Sequence, residues 1–225
     1  MPVNIDTYLS ILSALSSENV TLVAVSKTKP AEDISALYTM GQRDFGENYV
    51  QELVDKQAVL PQDIRWHFIG HLQSNKVKYI APFVHLIHGV DSVKLLQEIN
   101  KQGAKNNRVI DCLLQVHIAQ EETKFGLDMA ELDAIKKQLP ELSNVRVCGL
   151  MGMASLTENR QKIKEEFLSL KKIFDAFNQW PVAIRSDKTI LSMGMSGDYQ
   201  LAVACGSNMV RIGSLLFGAR NYDTI

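Results

Sequence analysis

The stretch TLVAVSKTKP, residues 21–30, joins an apolar run to two lysines and a proline. The segment TLVAVS (21–26) has the length and the valine content of a buried strand. The segment PAEDISALYTMG (30–41) follows with a proline at its start, acids in its first turn and a glycine at its end, which is typical of a helix. The stretch therefore predicts a strand followed by a helix.

Seven more apolar runs of strand length are spaced along the rest of the chain. They lie at residues 43–46, 65–70, 84–90, 110–118, 145–153, 189–195 and 208–214. Each is followed by a helical segment or a short substitute for one, and the repeat averages about 28 residues, which is typical of one barrel unit. We therefore predict an α/β fold, a single (β/α)₈ TIM barrel that forms one domain over residues 1–225. A doubly wound open sheet is the alternative, which the count of eight and the lack of a GxGxxG turn after the first strand disfavour.

The composition describes an ordinary globular chain of 225 residues with 46% hydrophobic residues and a net charge of −1. This charge favours neither a nucleic-acid nor an anionic-membrane partner. Three distant cysteines, Cys112, Cys148 and Cys205, form no CxxC motif and indicate reduced core residues. We find no signal peptide and no apolar run long enough for a membrane span, so we expect a cytoplasmic protein.

Lys27 is the first candidate for chemistry because it stands at the end of the first strand. The active face of a TIM barrel is built at the carboxyl ends of its strands. Val23, Val25 and Lys27 share one side of the strand, but both sides of a barrel strand are buried, so alternation alone does not say which set faces inward. If Lys27 faces inward, a partly desolvated amine stands at the barrel mouth and can add to an aldehyde. The alternatives are an ion-paired lysine or one that extends into solvent.

Two glycine- and serine-containing turns supply a second candidate feature. SMGMSGDYQ (192–200) leaves the seventh strand and RIGS (211–214) leaves the eighth, where many barrels bind phosphate with backbone N–H groups. Barrel closure makes the eighth strand the neighbour of the first, which brings these turns close to Lys27. An amine beside a phosphate cradle suits pyridoxal 5′-phosphate (PLP), which carries an aldehyde and a phosphate on one ring. Alone, each turn is equally consistent with an ordinary strand–helix connection.

Arg211 lies just before the turn of the eighth strand and is a candidate partner of the pyridine nitrogen of PLP. Because an arginine keeps its own proton, it would leave that nitrogen unprotonated and make the ring a poor electron sink. This disfavours transaminase-like or decarboxylase-like chemistry. The alternative is an ion pair between Arg211 and a carboxylate such as Asp198.

Two histidine pairs have spacings that can hold a metal on a helix. They are His67 with His71 and His85 with His88. Both pairs straddle predicted strand ends, and no nearby cysteine or carboxylate in the sequence completes a ligand set. We therefore predict no metal site.

Several segments together resemble one known family. They are VAVSKTKP, FGENYVQE, WHFIGHLQSNK, KFGL, GLMGM, LSMGMSGDYQLAV and VRIGS, and they occur in order over residues 21 to 218. On these segments the chain is similar to the YggS/PROSC family of PLP homeostasis proteins. The resemblance implies a fold like the barrel domain of alanine racemase and a bound PLP cofactor without established catalytic turnover.

The resemblance also implies which residues bind the cofactor. Lys27 matches the Schiff-base lysine of the family, and Arg211 fits its pyridine-facing arginine. The phosphate-binding turns of the family correspond to Ser192, Gly194, Gly213 and Ser214. Asn48 in FGENYVQE lies near the ring in that picture. The family often has threonine where this chain has Ser214, which keeps the hydroxyl.

The function expected from these features is a PLP-binding protein that holds the cofactor as a lysine Schiff base and serves its intracellular homeostasis or delivery. Relatives that racemise amino acids carry a second, mostly β domain, whereas here the sequence ends about a dozen residues after the last predicted strand. We therefore expect a monomer without efficient turnover, whose partners are PLP and, for delivery, PLP-dependent apoenzymes. The alternatives are a PLP-dependent amino-acid racemase of low activity and a Schiff-base aldolase acting on a sugar phosphate.

Overall fold

Eight parallel strands form a closed barrel in the computed structural model, which describes residues 3–119, 126–181, 186 and 188–218. Each strand pairs with its neighbours in the chain, and β8 pairs with β1, which closes the barrel. The strands are β1 Thr21–Val25, β2 Asp44–Glu47, β3 Arg65–Phe68, β4 Leu86–Val90, β5 Ile110–Gln115, β6 Val145–Met151, β7 Ile190–Ser192 and β8 Met209–Ile212. The predicted (β/α)₈ barrel is confirmed. Its extent as one domain over residues 1–225 stays a prediction, and the first half of the KFGL segment lies outside the described residues.

Helices surround the barrel and connect its strands. They are α1 Ile5–Ser17, α2 Ala31–Thr39, α3 Val50–Val59, α4 Val77–Ile80, α5 Val93–Lys105, α6 Met129–Gln138, α7 Arg160–Phe177, α8 Tyr199–Ala204 and α9 Ser214–Phe217. The helix α1, which precedes the first strand, was not predicted from the sequence. Asn4 caps this helix by accepting the N–H of Thr7, and its own N–H donates to the carbonyl of Leu216 in α9.

Two apolar clusters form the core. The larger cluster lies between the helices and the outer face of the sheet and includes Leu22 and Ala24 of β1. The smaller cluster contains buried residues from strands alone, so it fills the barrel interior: Val23, Leu86, Leu113, Cys148, Met151 and Met209. Val23 therefore points inward, and the alternation along β1 directs Lys27, four residues later, to the same side.

The three cysteines are buried and form no disulfide, as predicted. In the described part of the chain, no helix is both long enough and apolar enough to cross a membrane.

Candidate functional site

A cavity of about 290 Å³ opens at the carboxyl ends of the strands. Its volume is close to the lower end of the range for small-molecule sites. One part of the wall is apolar and contains Val25, Ile69, Met153, Met195 and Phe217. The polar part contains Lys27, Lys29, Asn48, Ser196, Gly197, Arg211, Gly213, Ser214 and Gly218. Five of the seven predicted site residues therefore meet in one cavity: Lys27, Asn48, Arg211, Gly213 and Ser214.

Lys27 enters this cavity from a tight turn after β1. The N–H of Lys29 donates to the carbonyl of Ser26 at 3.0 Å, which closes the turn. Thr28 has a φ of 62°, a left-handed conformation that few residues other than glycine adopt. The N–H of Thr28 donates to Oε1 of Glu52 at 2.6 Å, and this bond holds the strained residue in place. The backbone on either side of Lys27 is therefore fixed.

A buried ionic cluster on the outer side of β1 supports this turn. Oε1 of Glu47 accepts hydrogen bonds from the Ser26 hydroxyl at 2.6 Å and from Nζ of Lys56 at 2.7 Å. Nζ of Lys56 also donates to the Ser26 carbonyl and to Oε1 of Glu52, each at 2.7 Å. Burial raises the pKa of Glu47 to about 7, against the opposing effect of Lys56. The sequence analysis missed Glu47 and Lys56, although FGENYVQE contains the glutamate.

Asn48 presents an unusual polar atom to the cavity. Its Oδ1 is buried and has no hydrogen-bond partner among the described residues. Gly70 lies against the Asn48 backbone so closely that a Cβ at position 70 would stand 2.3 Å from the Asn48 carbonyl oxygen. A buried acceptor without a donor is costly, so this atom is suited to a ligand that brings a donor.

The turns after β7 and β8 together form a wall whose donors are suited to an anion. The N–H of Gly213 donates to Oγ of Ser196 at 3.2 Å, which joins the two turns. The N–H groups of Ser196, Gly197 and Ser214 find no acceptor in the part of the chain that the structure describes. Gly213 packs against β1, where a Cβ would lie 3.2 Å from the Val25 carbonyl oxygen. These N–H groups and the cations Lys27, Lys29 and Arg211 make the cavity suited to a phosphate.

Ser192 and Gly194 do not line this cavity. Ser192 is fully buried, and its hydroxyl oxygen accepts a hydrogen bond from Nη1 of Arg211 at 2.6 Å. The Gly194 carbonyl accepts the Arg211 N–H at 3.0 Å, and the φ of Gly194 is 96°. The structure thus places both residues against Arg211, and their contact with a phosphate stays a prediction. The next residues of the same turn, Met195 to Gly197, line the cavity instead.

Arg211 points into the barrel beneath the cavity and contributes to its wall. Its guanidinium donates to the Ser192 carbonyl at 3.0 Å and to the Gly152 carbonyl at 3.2 Å. Burial lowers the pKa of Arg211 to about 10, and the charge of Asp198 opposes this effect. No ion pair joins Arg211 to Asp198 among the described residues, and Asp198 instead accepts the N–H of Met195 at 2.6 Å.

One group of side chains has the spacing of a metal site. The ligand atoms of Asp44, His67 and His85 lie within 4.8 Å of one another. However, Arg65 donates to both carboxylate oxygens of Asp44, and its guanidinium opposes a cation at this position. The group is better described as a hydrogen-bonded ion pair.

Comparison with known proteins identifies relatives of this chain. The family model of the alanine racemase N-terminal domain matches residues 4–221. The pyridoxal phosphate homeostasis protein of Aquifex aeolicus is 42% identical over 203 residues, which cover 89% of this chain and 87% of that protein. The protein of the same name from Escherichia coli K12 is 40% identical over 218 residues, which cover 92% of this chain and 89% of that protein.

Two solved structures extend the comparison. PipY of Synechococcus elongatus PCC7942, solved with PLP bound, is 38% identical with a TM-score of 0.82, covering 92% of this chain and 98% of PipY. Alanine racemase from Bartonella henselae, solved with covalently bound pyridoxal phosphate, is 18% identical with a TM-score of 0.72. That match covers 99% of this chain and 62% of the racemase, and it shows a shared fold alone.

Proposed function

Since the chain belongs to the PLP homeostasis (YggS/PROSC) proteins of the alanine racemase N-terminal domain family, we propose that it binds PLP. Its role is in intracellular PLP homeostasis or delivery, without efficient catalytic turnover. The observation that carries the proposal is the meeting of Lys27, an anion-binding wall and an apolar wall in one cavity. When bound, PLP supplies an aldehyde that reacts with amines and a ring that withdraws electrons.

Each part of PLP has a matching group in the cavity. Lys27 would hold the aldehyde carbon through its amine. Ser196, Gly197 and Ser214 would hold the phosphate with backbone and hydroxyl donors, and Gly213 would hold the Ser196 side chain in place through its N–H. Oδ1 of Asn48, the buried acceptor without a partner in the described structure, would receive a donor from the cofactor. This unpartnered atom supports the fit independently of the family comparison.

The apolar wall favours an aromatic cofactor over a sugar phosphate. Ile69, Met153 and Met195 offer aliphatic and thioether surfaces, which suit a pyridine ring. A sugar phosphate brings several hydroxyl groups, and an apolar wall leaves such groups without partners. This contrast supports PLP binding over the aldolase alternative.

The ionisable groups of the cavity support the absence of efficient turnover. Lys27, Lys29 and Arg211 line it, whereas no carboxylate, imidazole, thiol or phenol does so among the described residues. A racemase needs a second acid or base opposite the lysine, and such a group contributes about 10²–10⁴-fold to the rate. Arg211 at the pyridine nitrogen keeps that nitrogen unprotonated, which further weakens the ring as an electron sink.

The test compares the purified protein with Lys27→Ala and, as a matched control, Lys29→Ala. Each protein is incubated with PLP and then treated with borohydride, which reduces the imine to a stable amine. The mass of each protein is then measured by mass spectrometry. We expect the pyridoxyl-phosphate mass on the wild type and on Lys29→Ala but not on Lys27→Ala. An adduct on Lys27→Ala contradicts the role of Lys27, and no adduct on the wild type contradicts covalent PLP binding.

A second measurement separates a binding protein from a racemase. The PLP-loaded protein is incubated with alanine in deuterium oxide, and α-proton exchange is followed by NMR. We expect exchange no faster than with free PLP at the same concentration. Exchange at an enzyme-like rate contradicts the binding role. The cytoplasmic location, the monomeric state and transfer to apoenzymes stay predictions from the sequence.

A further inference from the structure

A line of buried hydrogen-bonding side chains runs through the barrel interior from Arg211. Nη1 of Arg211 donates to Oγ of Ser192 at 2.6 Å, and Nδ1 of His88 lies 3.3 Å from the same oxygen. Nε2 of His88 lies 2.9 Å from Nδ1 of His67. Ser192, His88 and His67 are all at most 1% exposed, so water does not compete for these contacts. Four side chains from four different strands are thereby connected.

The line ends at Asp44, at the end of the barrel opposite the cavity. Asp44 is the first residue of β2, and its Oδ1 lies 3.0 Å from Nε2 of His67. Nε of Arg65, the first residue of β3, donates to the same oxygen at 2.7 Å. A carboxylate therefore stands at one end of the line and the guanidinium of Arg211 at the other.

When both histidines are neutral, the two charged ends give every hydrogen bond in the line one direction. Arginine only donates, so Oγ of Ser192 accepts and its own proton is available for Nδ1 of His88. A neutral His88 then donates from Nε2 to Nδ1 of His67, which in turn donates from Nε2 to the Asp44 carboxylate. Reversing the line requires a charged His67, which would donate to both Nε2 of His88 and the Asp44 carboxylate, because the Ser192 oxygen can accept from Arg211 and His88 together. With both histidines neutral, every bond is satisfied only when both are protonated at Nε2.

Burial and charge support the same protonation states. Burial lowers the pKa of His88 well below its usual value, and the charges of His67, Arg211 and His85 lower it further. Burial raises the pKa of Asp44, but hydrogen bonds from Arg65 and His67 outweigh burial and hold that pKa below its usual range. His88 is therefore neutral and Asp44 is charged near neutral pH.

We propose that Asp44, His67, His88 and Ser192 are positioning residues for Arg211. The Asp44 carboxylate sets the tautomer of both histidines, and His88 then holds the Ser192 hydroxyl so that its oxygen stays an acceptor. That oxygen and the Ser192 and Gly152 carbonyls anchor the guanidinium in the wall of the cavity. The proposal deepens the proposed function and rests on it, because it assigns how Arg211 is kept in place to meet the pyridine nitrogen of PLP.

The first test reads the direction of the line without the cofactor. Nitrogen NMR of isotope-labelled histidine in the apoprotein distinguishes protonated from unprotonated Nδ1 and Nε2, with His67→Gln and His88→Gln used to assign the signals. We expect neutral rings with the proton on Nε2 for both residues near neutral pH. A proton on Nδ1 of either histidine, or a charged ring, overturns the proposal whether or not the protein binds PLP.

The second test is a double-mutant cycle that compares the PLP affinity of the wild type, Ser192→Ala, Asp44→Asn and the double variant. The affinity is measured by titration with PLP, followed by visible absorbance. Although Asp44 lies at the opposite end of the barrel, we expect each single change to weaken affinity by about fivefold or more. The double variant should bind PLP only slightly more weakly than Ser192→Ala, because both changes interrupt the same line of hydrogen bonds. If the losses of affinity in the two single variants multiply in the double variant, the proposal is overturned.

Asp111→Asn is the matched control for Asp44→Asn. Asp111 near the start of β5 accepts two hydrogen bonds from Arg146, at 2.7 and 2.8 Å, and no histidine of the described residues hydrogen-bonds to this pair. We expect Asp111→Asn to leave PLP affinity within about twofold of the wild type. Equal losses in Asp111→Asn and Asp44→Asn show a general structural effect and overturn the positioning role. If the wild type binds no PLP, the proposed function itself is contradicted. The first test does not depend on PLP binding, so the two failures can be distinguished.

Discussion

Nζ of Lys56 lies 2.7 Å from Oε1 of Glu47, directly behind the strand end that carries Lys27. Lys56 comes from α3 and Glu47 from β2, and both side chains are almost entirely buried. The other oxygen of Glu47, Oε2, is buried without a partner in the described structure. A proton on Oε2 removes a buried charge without breaking a bond to Oε1, which explains why burial raises the pKa of this carboxyl.

The raised pKa of Glu47 predicts a pH-dependent contribution to stability. Its value is about 7 in the folded protein against 4.5 for an ordinary glutamate, so the folded state binds the proton more tightly. This contribution is fully present below about pH 4.5 and is lost as the pH rises through about 7. We expect the stability difference between the wild type and Glu47→Gln to shrink by at least about 1 kcal/mol between about pH 5 and pH 8.

The measurement is urea denaturation of the wild type and Glu47→Gln at each pH. The effects of the other titrating groups cancel in the stability difference because both proteins contain those groups. Glu52→Gln is the comparison variant, since this carboxylate shares Lys56 but is more exposed. A stability difference that does not change between about pH 5 and pH 8 shows that Glu47 is charged throughout this range in the folded protein and contradicts the prediction.

Gly194→Ala is expected to lower stability and PLP retention together. Gly194 has a φ of 96°, and a Cβ there would lie 2.6 Å from Cβ of Ala202. Strain and overpacking of this kind cost about 1–3 kcal/mol and displace the turn that lines the cavity. Gly197→Ala is the control in the same turn, because its Cβ meets no atom within 4 Å, and its stability should stay within about 0.5 kcal/mol of the wild type. Denaturation midpoints and PLP retention after desalting are measured for both variants. If Gly194→Ala has the stability and PLP retention of the wild type, the prediction is wrong.

Ser214→Ala is expected to weaken PLP affinity by about tenfold or more, the effect of losing one hydrogen bond to a charged phosphate. Ser214→Thr keeps the hydroxyl and should stay within about twofold of the wild type. Titrations with PLP and with pyridoxal, which lacks the phosphate, separate this contact from a general disturbance. If Ser214→Ala loses pyridoxal affinity as strongly as PLP affinity, the hydroxyl does not act on the phosphate.

Asn48→Ala is expected to weaken PLP binding without destabilising the apoprotein. Because Oδ1 of Asn48 has no partner in the described structure, its removal breaks no protein hydrogen bond at that atom, and stability should change by less than about 0.5 kcal/mol. Asn208→Ala is the contrasting variant, since that side chain bonds to the Leu191 N–H at 2.7 Å and the Thr189 carbonyl at 2.9 Å. It should lose about 1–3 kcal/mol. Thermal denaturation and PLP titration of both variants test this contrast. Equal destabilisation of Asn48→Ala and Asn208→Ala contradicts the prediction.

Much of the fold was accessible from local patterns in the sequence. Each of the eight strands starts within two residues of its predicted start, because short apolar runs, caps and glycines act over one or two turns of chain. The gathering of Lys27, Arg211, Gly213 and Ser214 was also predictable, since barrel closure places the ends of neighbouring strands together, whereas Asn48 was expected there only from the family resemblance.

Other parts of the site depended on contacts between distant segments. The sequence presented Ser192 as one more serine in a phosphate turn, whereas the structure places its hydroxyl on Arg211, 19 residues further along. Glu47 and Lys56 form a pair only because α3 packs against β1 and β2.

The sequence by itself determined the alternation of strands and helices and the position of a lysine at the end of the first strand. Only the tertiary structure decided that Val23 and Lys27 face inward and that His88, Ser192 and Arg211 form one buried line. The physical reason is that both faces of a barrel strand are apolar, so local hydrophobicity does not distinguish inside from outside. The register between paired strands decides which face of each strand points inward. This register exists only once the barrel has closed.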